Sequence, residues 1–226
     1  MRKITLLACF VSLLSITSIA QDCTDYFFLQ NNKTIEISFF NKKGKPNGRQ
    51  VYNVSNVQNN GGVTTATLNS EMFDKKGKSQ AKGTSFIECT GGIMKVDMTM
   101  MLPQQQQEQF SKAEAKMDKI YIEYPVSMQI GDQLKDGNFN MDMETGGMKQ
   151  NVSMVIDNRK VVGKENVSTP AGSWDCFKIT YNSRTTVKTM GIGIPVKFEA
   201  TEWYAPGFGI VKTESKYGTT EITSVK

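Results

Sequence analysis

The chain of 226 residues contains no histidine. That absence removes Ser-His-Asp and Cys-His nucleophilic catalysis, histidine-ligated zinc, and the side chain that most often serves as a general base near neutral pH. Cysteine is scarce, at positions 9, 23, 89 and 176, and no two of these form a Cys-x-x-Cys pair, so a thioredoxin-like redox role has no support. No phosphate-binding loop and no dinucleotide-binding glycine pattern occurs. The Gly-Gly pairs at 61, 91 and 146 stand between strand-like runs, where a hairpin turn needs glycine for its backbone. Beyond the N-terminal segment no apolar run approaches the length of a membrane-spanning helix. Charge of one sign is also lacking: 27 basic and 22 acidic residues give +5, and loss of Arg2 and Lys3 with a leader leaves +3. The lysines gather in turns such as Asn41-Lys42-Lys43-Gly44-Lys45 without aromatics between them, which argues against nucleic acid as a partner.

Arg2 and Lys3 precede an apolar run from Ile4 to Ile16 and then Ser18-Ile19-Ala20, which reads as a signal peptide over residues 1–20. Residues 21–226 are then one β-rich domain. Leu6-Leu7-Ala8-Cys9 has the look of a lipoprotein cleavage box, but cleavage there would leave almost no apolar segment before it. With three cysteines left after export, Cys23, Cys89 and Cys176, the mature chain has one disulfide and a free thiol, or no disulfide at all. Cys23 lies where a staple would hold a terminus prone to fray, and Cys89 lies at a strand end beside a turn, so Cys23 with Cys89 is the favoured pair. Cys89 with Cys176 is the alternative, although Cys176, mid-strand beside Trp174, reads as a buried free thiol.

Turn signals recur at roughly ten-residue spacing along the whole chain, as in an all-β sheet or barrel. Ile35, Ile37 and Phe39 share one strand face; Phe177, Ile179 and Tyr181 share another, beyond a turn at Pro170 and Gly172. Phe40-Asn-Lys-Lys-Gly-Lys and Phe73-Asp-Lys-Lys-Gly-Lys repeat one pattern 33 residues apart, which predicts two similar hairpins in succession. Residues 104–117 form the single convincing helix: their composition favours it, and Phe110, Ala113 and Met117 fall on one stripe. The expected fold is therefore all-β with minor α, a single antiparallel sheet curved into a barrel or half-barrel.

Several of these segments carry a wider likeness. Gln21-Asp22-Cys23 with Tyr26-Phe27, the Phe-Asp-Lys-Lys-Gly-Lys hairpin, Cys89-Thr90-Gly91-Gly92, Gly131-Asp132-Gln133-Leu134, Thr169-Pro170-Ala171-Gly172 and Glu202-Trp203-Tyr204-Ala205-Pro206-Gly207 span nearly the whole mature chain. In these the chain resembles exported bacterial β proteins grouped as TapB-like, close to a family labelled a domain of unknown function. The resemblance implies an envelope location in a diderm bacterium, periplasmic, outer-membrane-associated or extracellular. It supplies no catalytic residues.

Methionine is the one enrichment, with 13 residues in the chain. Met94, Met98 and Met100 on one predicted hairpin, and Phe139, Met141 and Met143 on another, alternate with polar residues and so point to single faces. Flexible thioethers on a concave face suit an apolar, lipid-like ligand, with the helix carrying Phe110 and Met117 as a lid. Core filling and a Cu(I) site are the competing readings of the same methionines. The expected function is a non-catalytic binding or carrier module without metal or cofactor, whose partner is a hydrophobic small molecule or an envelope protein. A structural or interaction component of the envelope is the alternative, and a carboxylate hydrolase using Asp97, Asp142 or Glu144 is the third reading.

Overall fold

The computed structural model describes residues 26–102, 107, 120–145 and 148–226, with backbone alone at Met143, Thr145 and Met148. The described residues form twelve strands: β1 (Thr34–Asn41), β2 (Pro46–Asn60), β3 (Val63–Asp74), β4 (Ser79–Thr90), β5 (Ile93–Asp97), β6 (Tyr121–Pro125), β7 (Gly137–Thr145), β8 (Met148–Thr169), β9 (Gly172–Thr189), β10 (Ile192–Ala205), β11 (Gly209–Ser215) and β12 (Gly218–Val225). They form one sheet in the order β6-β5-β4-β3-β2-β1-β12-β11-β10-β9-β8-β7, antiparallel at every pairing. Two meanders, each a chain of hairpins, are thus joined where β1 pairs with β12. The sheet curls into a nearly closed barrel, as the strand alternation predicts. Of the helix expected over 104–117 only Gln107 is described, and it is helical; the remainder, with Phe110 and Met117, lies outside the described residues.

The repeated lysine-rich tips are two copies of one turn. Asn41 Oδ1 accepts from the backbone N–H groups of Lys43 and Lys45, and Asp74 Oδ1 accepts from those of Lys76 and Lys78. In each copy the glycine, Gly44 or Gly77, takes positive φ and donates its N–H back to the first residue's carbonyl. The Asx side chain thus supplies the acceptor that a tight reversal would otherwise lack, and glycine supplies the left-handed backbone.

Closure of the barrel depends on a residue that the sequence pattern hides. Asp157-Asn158-Arg159-Lys160 is a polar stretch between the apolar runs ending at Ile156 and starting at Val161, yet β8 runs unbroken through it with a register shift, and Asn158 takes positive φ. The resulting bulge turns Arg159 into the interior, where it is fully buried. Its Nη1 donates to the carbonyls of Glu123 at 2.9 Å and Lys135 at 2.7 Å, tying β6 to the segment that leads into β7. These are the two ends of the sheet. They also meet at Gly137, where a Cβ would stand 3.0 Å from the Met98 methyl, so any larger residue would have to push the end of that side chain aside.

Two further expectations are corrected. A strand from Ile93 to Met100 stops at Asp97, because the Asp97 carboxylate accepts from the N–H and hydroxyl of Thr99 and from the N–H of Phe86, capping a 3-10 turn over Met98–Met101. The run Gly191-Ile-Gly-Ile-Pro195, whose glycines and proline suggest a bend in sequence, holds instead a two-residue turn, Met190-Gly191, after which β10 begins at once.

The core holds Tyr52, Leu68, Ile87, Tyr124, Ile179 and Tyr204, all from inward strand faces. Each such burial is worth roughly 1.5–3 kcal/mol. Cys176 is a buried free thiol, as expected, so it is not the partner of Cys89. Burial, with Asp175 and Glu165 nearby, pushes its pKa up to about 12. A thiol reagent at pH 8 should therefore leave Cys176 unmodified in the native protein and react with it promptly in denaturant; fast native labelling would contradict its burial.

Candidate ligand-binding cavity

The inward faces of β1, β2, β9, β10, β11 and β12 do not meet across the barrel. They enclose a cavity of about 610 Å³, open to solvent at one side. Ile37 and Phe39 of β1, Tyr52 of β2, Val187 of β9, and Val211 and Ile222 of β11 and β12 form its wall. Met94, Val96 and Met100 close it from the β5 side. Polar side chains border it too, among them Gln50, Thr185, Lys212, Thr220 and Glu221. Gln50 is buried and spends its amide on Gln107, donating to the Gln107 side-chain oxygen at 3.1 Å. Gln107 in turn donates to the carbonyls of Met100 and Leu102, which holds the 3-10 turn against the cavity. The Tyr52 and Tyr181 phenols are both raised by burial foremost, with Asp97 adding for Tyr52 and Glu202 for Tyr181, so neither is an anionic group at neutral pH.

The mouth lies beside β10. Strand β11 pairs only with residues from Ala200 onward, so Ile192 to Glu199 have a partner on the β9 side and, among the described residues, none on the other. This explains how Pro195, which has no N–H to give, sits within a strand. Ile194, Val196 and Phe198 line the cavity from this free edge, and Tyr217 of the β11–β12 turn stands edge-on to Phe198, with ring centroids 5.4 Å apart.

The opposite part of the barrel is filled. Tyr124 stacks on Tyr204 with centroids 4.7 Å apart and planes 5° from parallel, and the Arg159 guanidinium lies 4.7 Å from the Tyr124 ring centroid. Arg159 Nη2 is 3.7 Å from Glu202 Oε1, an ion pair with both side chains fully buried. The Glu202 carboxyl is raised above its ordinary range by burial, which the Arg159 cation opposes. The Tyr124 hydroxyl also faces the Glu202 carboxyl, while Arg159 Nε has no hydrogen-bond partner among the described residues.

A family model described as DUF3108-like matches residues 30–225, which is most of the chain. The chain belongs to this family. Two solved structures share the fold of this DUF3108-like chain. A candidate exported protein with a YmcC-like fold from Bacteroides fragilis superposes with a TM-score of 0.71 at 22% identity, over 87% of this chain and 96% of that one. A candidate lipoprotein from Parabacteroides distasonis gives 0.73 at 19% identity, over 88% and 98%. No curated protein matches the chain in sequence.

The residues singled out for ligand binding part company in the structure. Met94 and Met100 line the cavity. Met98, Phe139 and Met141 are buried in the core and do not border it. Nothing is described of the Met143 side chain, and Phe110 and Met117 lie outside the described residues. The three carboxylates weighed for hydrolysis do separate things: Asp97 is buried as a cap, Asp142 is exposed and accepts from Asn151, and Glu144 is exposed. No group of three or more acidic or cysteine side chains suited to a metal ion occurs among the described residues. No helix among them is long and apolar enough to cross a membrane.

Proposed function

We propose that this DUF3108-like chain is an exported envelope protein that binds or carries an apolar, lipid-like molecule in the barrel cavity and catalyses no reaction. The supporting observation is the size and character of the cavity. Pockets for small molecules usually measure ~300–1,000 Å³ and are apolar with a few placed polar groups; this one, at about 610 Å³, joins aliphatic and aromatic walls to buried Gln50 and Thr185 and to polar side chains of β11 and β12. Water against the aliphatic and aromatic parts of this open cavity would lack hydrogen-bonding partners there, and an apolar occupant displaces it.

Export is supported by the leader-like residues 1–20 and by the descriptions of the two structural neighbours. In the same reading Cys23 is the disulfide partner of Cys89, which is buried and not a free thiol. Cys23 itself lies outside the described residues.

The test is a titration of the mature protein with a fluorescent fatty acid such as cis-parinaric acid. Saturable enhancement at micromolar protein, competed by unlabelled long-chain fatty acid or phospholipid, is expected. A linear, uncompeted signal would remove the carrier reading.

A further inference from the structure

The β9–β10 hairpin reaches beyond the wall formed by β11, β12 and β1, and its tip is the most exposed apolar feature among the described residues. Met190 is 85% exposed, Ile192 79% and Ile194 83%. The register shows how the arm is built. Ile194 pairs with Val187, which pairs with Val152, which pairs with Met141. This lateral row is apolar throughout. Its β7 and β8 members are buried and Val187 is half-buried, while Ile194, at the open edge, is almost fully in water. One core row therefore runs out of the protein into solvent beside the cavity mouth.

The other face of the arm is basic. Lys188 pairs with Gly193 and Arg184 with Lys197, and the alternation turns all three cations away from the Ile194 row; all three are exposed. Residues 184–198 contain no acidic side chain; the first is Glu199, exposed on the same face two residues beyond Lys197 and farther from the tip. Asp142 and Glu144 belong to β7, with β8 between them and the arm, and Glu144 is paired in register with Lys149.

We infer that this hairpin tip docks on the surface of an anionic lipid bilayer. Aliphatic side chains at the tip enter the acyl boundary while Arg184, Lys188 and Lys197 stay at the headgroups, the pairing of an apolar face with cations that interfacial elements use. Glycines at 191 and 193 and the proline at 195 keep the tip slender. Pro195 also blunts the free β10 edge against pairing with a second chain, which favours lipid over protein as the occupant. Docked in this way, the bilayer would lie directly over the cavity mouth at Ile194 and Val196. The docking surface stands independently of what the cavity holds.

The experiment is co-flotation of the mature, unlipidated protein with vesicles of phosphatidylethanolamine and phosphatidylglycerol, alongside the fatty-acid titration in solution. Wild-type protein should float with the vesicles. The double substitution Ile192→Asp with Ile194→Asp should reduce the bound fraction about tenfold or more, with melting temperature and oligomeric state unchanged, since both side chains are already in water. Lys188→Glu with Lys197→Glu should weaken binding to these vesicles and leave phosphatidylcholine vesicles little affected. Wild-type protein that binds the probe but does not float would overturn docking and leave the carrier reading intact. Protein that floats without binding the probe would support docking and remove the carrier reading. Flotation unaffected by the double aspartate variant, or aspartates that only break up a dimer, would overturn the docking surface.

Discussion

Replacing Arg159 with methionine should destabilise the protein by about 3–5 kcal/mol at neutral pH, the usual consequence of removing one partner from a buried ion pair. Three losses coincide there. Glu202 is left as a buried carboxyl without its cation, the Tyr124 ring loses the guanidinium above it, and the carbonyls of Glu123 and Lys135 lose their donor. The last of these unfastens the two ends of the sheet from each other, so the damage should appear first as accelerated amide exchange in β6 and β7. For a domain whose whole stability is about 5–15 kcal/mol, the change should be plain in a urea titration.

The loss should also depend on pH. Glu202 is already raised above 4.5 by burial, with Arg159 opposing the rise, and removing the cation raises it further. A group with a raised folded pKa contributes its full stability below the unfolded value, and that contribution falls as pH climbs through the folded value. Arg159→Met should therefore be mildest near pH 4 and grow more harmful toward pH 8. Adding Glu202→Leu should recover part of the loss and flatten the profile, leaving the cost of the two unserved carbonyls and of the uncovered Tyr124 ring. A single variant with wild-type stability at pH 8 would show that Arg159 does not hold the closure.

The second large effect concerns binding. Ile37→Trp together with Val187→Trp places bulk on two walls of the cavity, one on β1 and one on β9. Affinity for the fluorescent fatty acid should fall at least about tenfold, because the added rings occupy volume that the ligand requires. Stability should hold or rise, since both positions are only partly buried and the rings fill an existing void. Phe139→Leu, deep in the core but away from the cavity, is the control: it should lower stability by about 1 kcal/mol and leave affinity unchanged. Equal affinities for the tryptophan variant and wild type would place the ligand elsewhere.

The contrast between these residues shows what could be read from the chain. Alternation in Ile35-Ile37-Phe39 and Phe177-Ile179-Tyr181 gave the inward faces, and the repeated Phe-[Asn/Asp]-Lys-Lys-Gly-Lys gave the turns, because both are local signals. Met98, Phe139 and Met141 were equally well placed on inward faces, yet they fill the plugged part of the barrel. Alternation reports which face a side chain takes and is silent on its distance from the mouth. The cavity brings β1 and β2 against β9 and β10, and that neighbourhood exists only because β1 pairs with β12, the longest-range pairing in the sheet. Arg159 was hidden for another reason. Its Asp-Asn-Arg-Lys context is what a solvent turn looks like, and only the bulge at Asn158 turns the cation inward.

The most direct test of the cavity's role is to purify the mature protein from a bacterial envelope without detergent, extract it with organic solvent, and identify what is released by mass spectrometry. A lipid or other long-chain apolar molecule in near-stoichiometric amount, absent from the Ile37→Trp, Val187→Trp variant prepared in the same way, is the predicted result. No lipid above background in the wild-type extract, or equal amounts from both proteins, would contradict it.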